Sequence, residues 1–146
     1  MKRILIACIL AVAVLCGTAY AATGGFDFTF KTDGILGIGN VTTCTSSKQS
    51  KADSESKAYV TVSSNGLASS EEIKVYIINA SGTKVTDSRI ISGSSSKVYP
   101  QYYNTPSYGS NIYYRLRGVA ETINSTASLS GRWTPQAEIR AVSLMF

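Results

Sequence analysis

Residues 111–120 (N-I-Y-Y-R-L-R-G-V-A) and 127–133 (A-S-L-S-G-R-W) carry the clearest two-residue alternation in the chain, with three arginines and the only tryptophan. A β-strand sends successive side chains to opposite faces. In the first stretch Ile112, Tyr114, Leu116, Gly118 and Ala120 share one face, and Tyr113, Arg115, Arg117 and Val119 the other. In the second, Ala127, Leu129, Gly131 and Trp133 lie opposite Ser128, Ser130 and Arg132. The segment between them, 121–126 (E-T-I-N-S-T), reads as a hairpin loop. Pairing Ala120 with Ala127 would set Tyr114 opposite Trp133 inside and Arg115 opposite Arg132 outside. Like charges directly opposite are mildly destabilising, so the outward arginines ask for a reason beyond the fold.

Working outward, the same period recurs. Phe26, Phe28 and Phe30 alternate with Asp27, Thr29 and Lys31, which predicts a strand with three aromatics on one face. Residues 41–47, 57–63 and 72–79 read as strands, the last with Ile73, Val75 and Ile77 inward and Lys74 and Tyr76 outward. Residues 84–92 are a less regular strand, and 97–103 carry Pro100, which demotes that strand to an edge or bulge. Asn65-Gly66, Ser81-Gly82 and 93–96 are turns, and 48–56 is an exposed polar loop. Residues 137–146 fit either a final strand, which is favoured, or a short helix. The expectation is all-β: an antiparallel β-sandwich, or partly open barrel, of about seven to nine short strands.

Residues 1–22 have the layout of a secretory leader. Lys2 and Arg3 precede an apolar stretch at 4–15, and Ala19-Tyr20-Ala21 offers a small-x-small cleavage pattern. The chain is expected to be secreted as a single domain of residues 23–146. Cys8 and Cys16 leave with the leader; Leu5-Ile6-Ala7-Cys8 has the look of a lipidation site but comes before an h-region exists, and Cys16 follows Leu15, too bulky for that position. Cys44 then stands alone, either pairing between molecules or buried as a small hydrophobe. Without Lys2 and Arg3 the chain has 12 basic and 9 acidic residues, a net charge of +3. That suits attraction to an anionic cell-wall polymer or membrane surface and argues against nucleic acid, whose binders cluster charge more heavily.

The chain contains no histidine. This removes Ser-His and Cys-His nucleophile pairs and the commonest zinc ligands. Asp53 and Glu55 lack calcium-loop spacing, and the adjacent Glu71 and Glu72 project to opposite faces of a strand. All four are read as solvated charge. No catalytic residue, metal ligand or cofactor is expected, and the protein is read as a non-enzyme. The glycines at 34, 37 and 39 lack the Lys-Ser/Thr that follows a phosphate loop. The Asn-x-Ser/Thr sites at Asn40, Asn79 and Asn124 arise easily by chance in so Ser/Thr-rich a chain.

Two features remain. Tyr99, Tyr102, Tyr103, Tyr108, Tyr113 and Tyr114 are concentrated in one stretch; exposed tyrosines stack on sugars or partner side chains, while tyrosines also simply suit strands. Tyr113 with Arg115, Arg117 and Arg132 forms an aromatic and cationic set. It reads either as a binding face for an anionic polymer or headgroup, or as a solvated sheet face shielded by cation–π contact.

Phe26-Asp27-Phe28 soon after the leader, the strand ending at 76–79, the Gly-Ser segment leading into Tyr102-Tyr103, residues 115–121 and Ser130-Gly131-Arg132-Trp133 together form a pattern. It resembles a family of small exported β-proteins of Gram-positive bacteria, of unknown function and associated with bacteriocin-like peptides. Arg132 stands where that pattern has an aromatic, the acidic stretch after Trp133 is missing, and 137–146 extends the chain. The resemblance implies export and a compact β fold and assigns no binding residues. The expected role is action at a bacterial cell envelope, in a bacteriocin-like manner. The alternatives are a structural subunit that self-associates into a homo-oligomer through its exposed edges, Cys44 and its apolar C-terminus, and a small carbohydrate-binding module using its tyrosines.

Overall fold

The computed structural model describes residues 23–32, 40–51, 54–93, 98–104, 112–124 and 126–136. Within them are nine strands and no helix: β1 (Gly24–Lys31), β2 (Thr43–Thr45), β3 (Gln49–Ser50), β4 (Lys57–Asn65), β5 (Glu72–Asn79), β6 (Arg89–Ser92), β7 (Val98–Tyr102), β8 (Tyr113–Thr122) and β9 (Thr126–Thr134). The leader expected at 1–22, the glycine turn at 34–39, Asp53, Tyr108 and the stretch 137–146 lie outside the described residues.

The strands form two antiparallel sheets, ordered β1-β9-β4-β7 and β2-β8-β5-β6, with β3 also on β8. β2 and β3 act as one interrupted strand. At the break the Ser46 amide donates to the Leu116 carbonyl while the Leu116 amide donates to the Ser46 hydroxyl, so a side chain stands in for a missing ladder acceptor. Counted this way, each sheet has four strands, and only β5 and β6 follow one another in sequence and pair. Every other connection crosses between sheets, which is the winding of a double-sheet jelly roll.

The alternation read from the sequence holds along β1, β4, β5 and β8. β1 is buried at every second residue from Gly24 to Phe30, and β5 turns Ile73, Val75 and Ile77 into the core. Pro100 lies in β7, an edge strand, as its missing amide requires.

The hairpin expected from residues 111–133 is not formed. β8 pairs with β5 over Glu72–Asn79 on one side and with β2 and β3 on the other, whereas β9 lies between β1 and β4 in the opposite sheet. Segment 121–126 is therefore a crossing. It is pinned from outside: the two oxygens of Glu71 accept from the amides of Ala68 and Asn124, at 2.8 and 2.9 Å. Leaving the hairpin lets each strand pair on both sides. Tyr114 accordingly meets the Tyr103 ring, at 5.1 Å between centroids, and not Trp133.

Three further expectations change. Asn65-Gly66 is no tight hairpin, since the Gly66 amide donates to Ser128 and the chain passes to the other sheet. The loop expected at 48–56 includes β3, and Lys51 is fully buried. The Lys51 amide extends the β3–β8 ladder to Ile112, and its ammonium lies 4.9 Å from the Tyr103 ring centroid. Glu71, expected to be solvated, is buried at the crossing.

The sheets approach closely at Gly118 on β8. A β-carbon there would come within 2.9–3.0 Å of the Phe28 and Phe30 rings on β1. On β9, Gly131 faces the bulge between Val62 and Ser64 of β4, where a β-carbon would overlap the Thr61 carbonyl oxygen.

Gly118→Ala should cost about 1–3 kcal/mol by overpacking, measured by urea unfolding. Combined with Phe30→Leu it should cost at least about 0.5 kcal/mol less than the sum of the single variants. Additive values would contradict the packing described.

Candidate functional site

β8 positions three of the sequence-predicted residues together. Tyr113, Arg115 and Arg117 alternate with the core residues Tyr114 and Leu116, so all three emerge on the outer face of the five-stranded sheet. From Tyr113 to Arg117 is four residues, about 13 Å along the strand.

Neighbouring strands complete the surface by register. Arg117 is flanked by Thr45 on β2 and Tyr76 on β5, and its Nε donates to Thr45 Oγ1 at 3.4 Å. Arg115 lies beside Ile78, and Tyr113 beside Ser50. Two lysines stack on tyrosine rings, one exposed and one half-buried: Lys48 Nζ is 4.8 Å from the Tyr113 centroid, and Lys84 Nζ is 5.4 Å from that of Tyr76. The shielding of Tyr113 expected from arginine thus comes from Lys48, and both guanidinium groups keep donors for other acceptors. At the far end Lys74 pairs with Glu121 and is neutralised. The result is a strip of two tyrosines and four cations, Lys48, Lys84, Arg115 and Arg117, framed by β-strand backbone.

Arg132 does not belong to it. It projects from β9 on the outer face of the other sheet, between Gly25 and Thr61. That face also carries Asp27, Thr29, Lys31, Ser128 and Ser130 on β1 and β9, and Lys57, Tyr59 and Tyr102 on β4 and β7, so its cations and rings are separate from those of the strip. The four residues selected from the sequence therefore divide three to one between opposite sides of the sandwich.

Sequence reasoning missed Tyr76, Lys84 and Lys48. Tyr76 and Lys74 were legible as outward residues of their strand, but nothing in the linear pattern placed that strand beside β8. Of the other tyrosines, Tyr99, Tyr103 and Tyr114 are buried, and Tyr102 is exposed on edge strand β7 with Arg89 5.8 Å from its ring.

Cys44 is half-buried on the inner side of β2, opposite Gly118, and its thiol donates to the Thr29 carbonyl at 3.5 Å. Burial raises its pKa above the ordinary thiol value. The thiolate, the species that exchanges disulfides, is correspondingly scarce near neutral pH. These features are those of the small packed hydrophobe.

Among the described residues no three His, Cys, Asp or Glu side chains cluster in a way that could hold a metal ion. Glu71 is the one buried acid among the described residues. The two backbone amides that it accepts hold its carboxyl below the usual glutamate value, and they occupy both oxygens. No protein-family model, curated protein or solved structure matches the chain.

Because the Glu71 pKa is lowered by folding, the stability it contributes is present above the unfolded value, about 4.3, and is lost as pH falls through the folded one. Glu71→Gln should be less stable than the parent at pH 7, with the gap closing toward pH 3. Thermal unfolding across that range tests it; a gap independent of pH would contradict the two-amide carboxylate.

Proposed function

We propose that this protein is a secreted, non-enzymatic β-sandwich that acts at a bacterial cell envelope, binding an anionic envelope polymer through the outer face of its five-stranded sheet. The observation that carries the proposal is the grouping of Tyr113, Arg115 and Arg117 with Tyr76, Lys48 and Lys84 on one sheet face. The fold does not require it: the inner residues of β5 and β8 build the core, while the outer ones, apart from the buried Ile78, form a repeated cation–aromatic surface. Guanidinium forks suit phosphate or carboxylate groups spaced along a polymer, and tyrosine rings offer faces on which sugar units stack. The leader-like residues 1–22 and the net charge of +3 without Lys2 and Arg3 point in the same direction. Self-association through Cys44 has less support, because its thiol is engaged with β1.

The test is sedimentation of the mature protein with purified cell walls, and with vesicles containing anionic lipid, at low salt. Each cation near an anionic surface contributes about 1 kcal/mol, so Arg115→Ala/Arg117→Ala should weaken binding about 30-fold. Arg132→Ala, on the opposite face, should stay within about twofold of the parent. Absence of binding at low salt, or equal losses from the two faces, would refute the proposal.

A further inference from the structure

The inner face of the four-stranded sheet is apolar along β1 and changes character toward β7. There, three buried side chains carry polar atoms without a hydrogen-bond partner: the Trp133 indole Nε1, the Gln101 amide Nε2 and the Tyr99 hydroxyl. Their residues are 1%, 0% and 7% exposed. A buried donor without an acceptor has given up its hydration for nothing, which is why such groups are few in folded proteins.

The three fall in neighbouring rows. Trp133, Val60 and Tyr99 are successive partners across β9, β4 and β7, and Gln101 is one row along, opposite Ala58. Trp133 and Tyr99 are thus about 10 Å apart at the backbone, and Gln101 about 7 Å from Tyr99 along its strand. Val60 separates Trp133 from Tyr99 and Ala58 lies beside Gln101, both shorter than the three side chains they adjoin. Thr86 orients the Gln101 amide. Thr86 Oγ1 already accepts from the Ile77 amide at 2.9 Å, so its single hydrogen is donated, at 3.2 Å, to Gln101 Oε1. Gln101 Nε2 therefore faces away from Thr86 with its donors unspent.

We infer that this end of the sandwich interior is a binding site for oxygen acceptors, occupied by ordered water or by the hydroxyl or carbonyl oxygens of a small polar molecule. The two sources share one chemistry, an uncharged oxygen that accepts from indole and amide N–H and can take or give a hydrogen at Tyr99. Buried water typically makes about three such bonds, the number of atoms on offer.

A crystal structure of the mature protein at about 1.5 Å resolution tests this directly. Density is expected within about 2.7–3.2 Å of Trp133 Nε1 and Gln101 Nε2. Isolated peaks identify water; connected density, matched by a small molecule released on denaturation and seen by mass spectrometry, identifies a ligand. Either result supports the site. In solution Tyr99→Phe, which keeps the ring, should lower Tm by about 3 °C by removing a bonded hydroxyl. Empty density at all three atoms, or a Tyr99→Phe Tm equal to or above the parent's, would overturn the inference.

Discussion

The rings of Phe28 and Phe30 fill the space that a side chain at residue 118 would take. This contact joins the first strand of one sheet to the central strand of the other, and much else follows from it. β1 must lie on β9 in the register that aligns Phe28 with Leu129, so that its rings reach across to β8. β8 must then stand in the opposite sheet, with Gly118 beneath those rings and β5 and β2 at its sides. Truncating a phenylalanine in such a core costs about 3–5 kcal/mol, a large share of the stability of a domain this size. The outer faces are free to vary only because the inner faces are so constrained.

The strands themselves were legible because period two is a local property. β5 spans the residues that the sequence marks out, and the inward and outward sets of β8 are those that alternation gives. Strand partnership was not legible. Residues 121–126 have the length and polarity of a hairpin loop, and residues remote in sequence hold them as a crossing, Glu71 by accepting from the Asn124 amide and Thr32 by donating to the Ile123 carbonyl. A buried glutamate bonded to two backbone amides looks in sequence like any solvated acid. Lys51 makes the same point: its neighbours are polar, yet the β3 ladder continues through its amide to Ile112 and its ammonium lies over the Tyr103 ring.

The candidate site inherits both outcomes. Tyr113, Arg115 and Arg117 share a face because one strand carries them, whereas Arg132 was grouped with them only through a hairpin that does not exist. Tyr76, Lys48 and Lys84 joined by register and stacking, which no linear pattern encodes. The core is similarly uneven. Its β1 side is phenylalanine and aliphatic, while its β7 side mixes Trp133, Tyr99, Gln101 and Thr86, so the interior has a polar end distinct from the charged outer face.

The separation of Arg115 from Arg132 carries the central claim, because it decides both the topology and the make-up of the cationic face. It is measured by pulsed electron resonance between spin labels on Arg115→Cys and Arg132→Cys, in a Cys44→Ser background. Sheets about 10 Å apart with labels pointing outward on both sides predict a distance of about 20 Å or more. A distance under about 12 Å, as across a hairpin whose paired α-carbons are about 5.5 Å apart, would contradict the account.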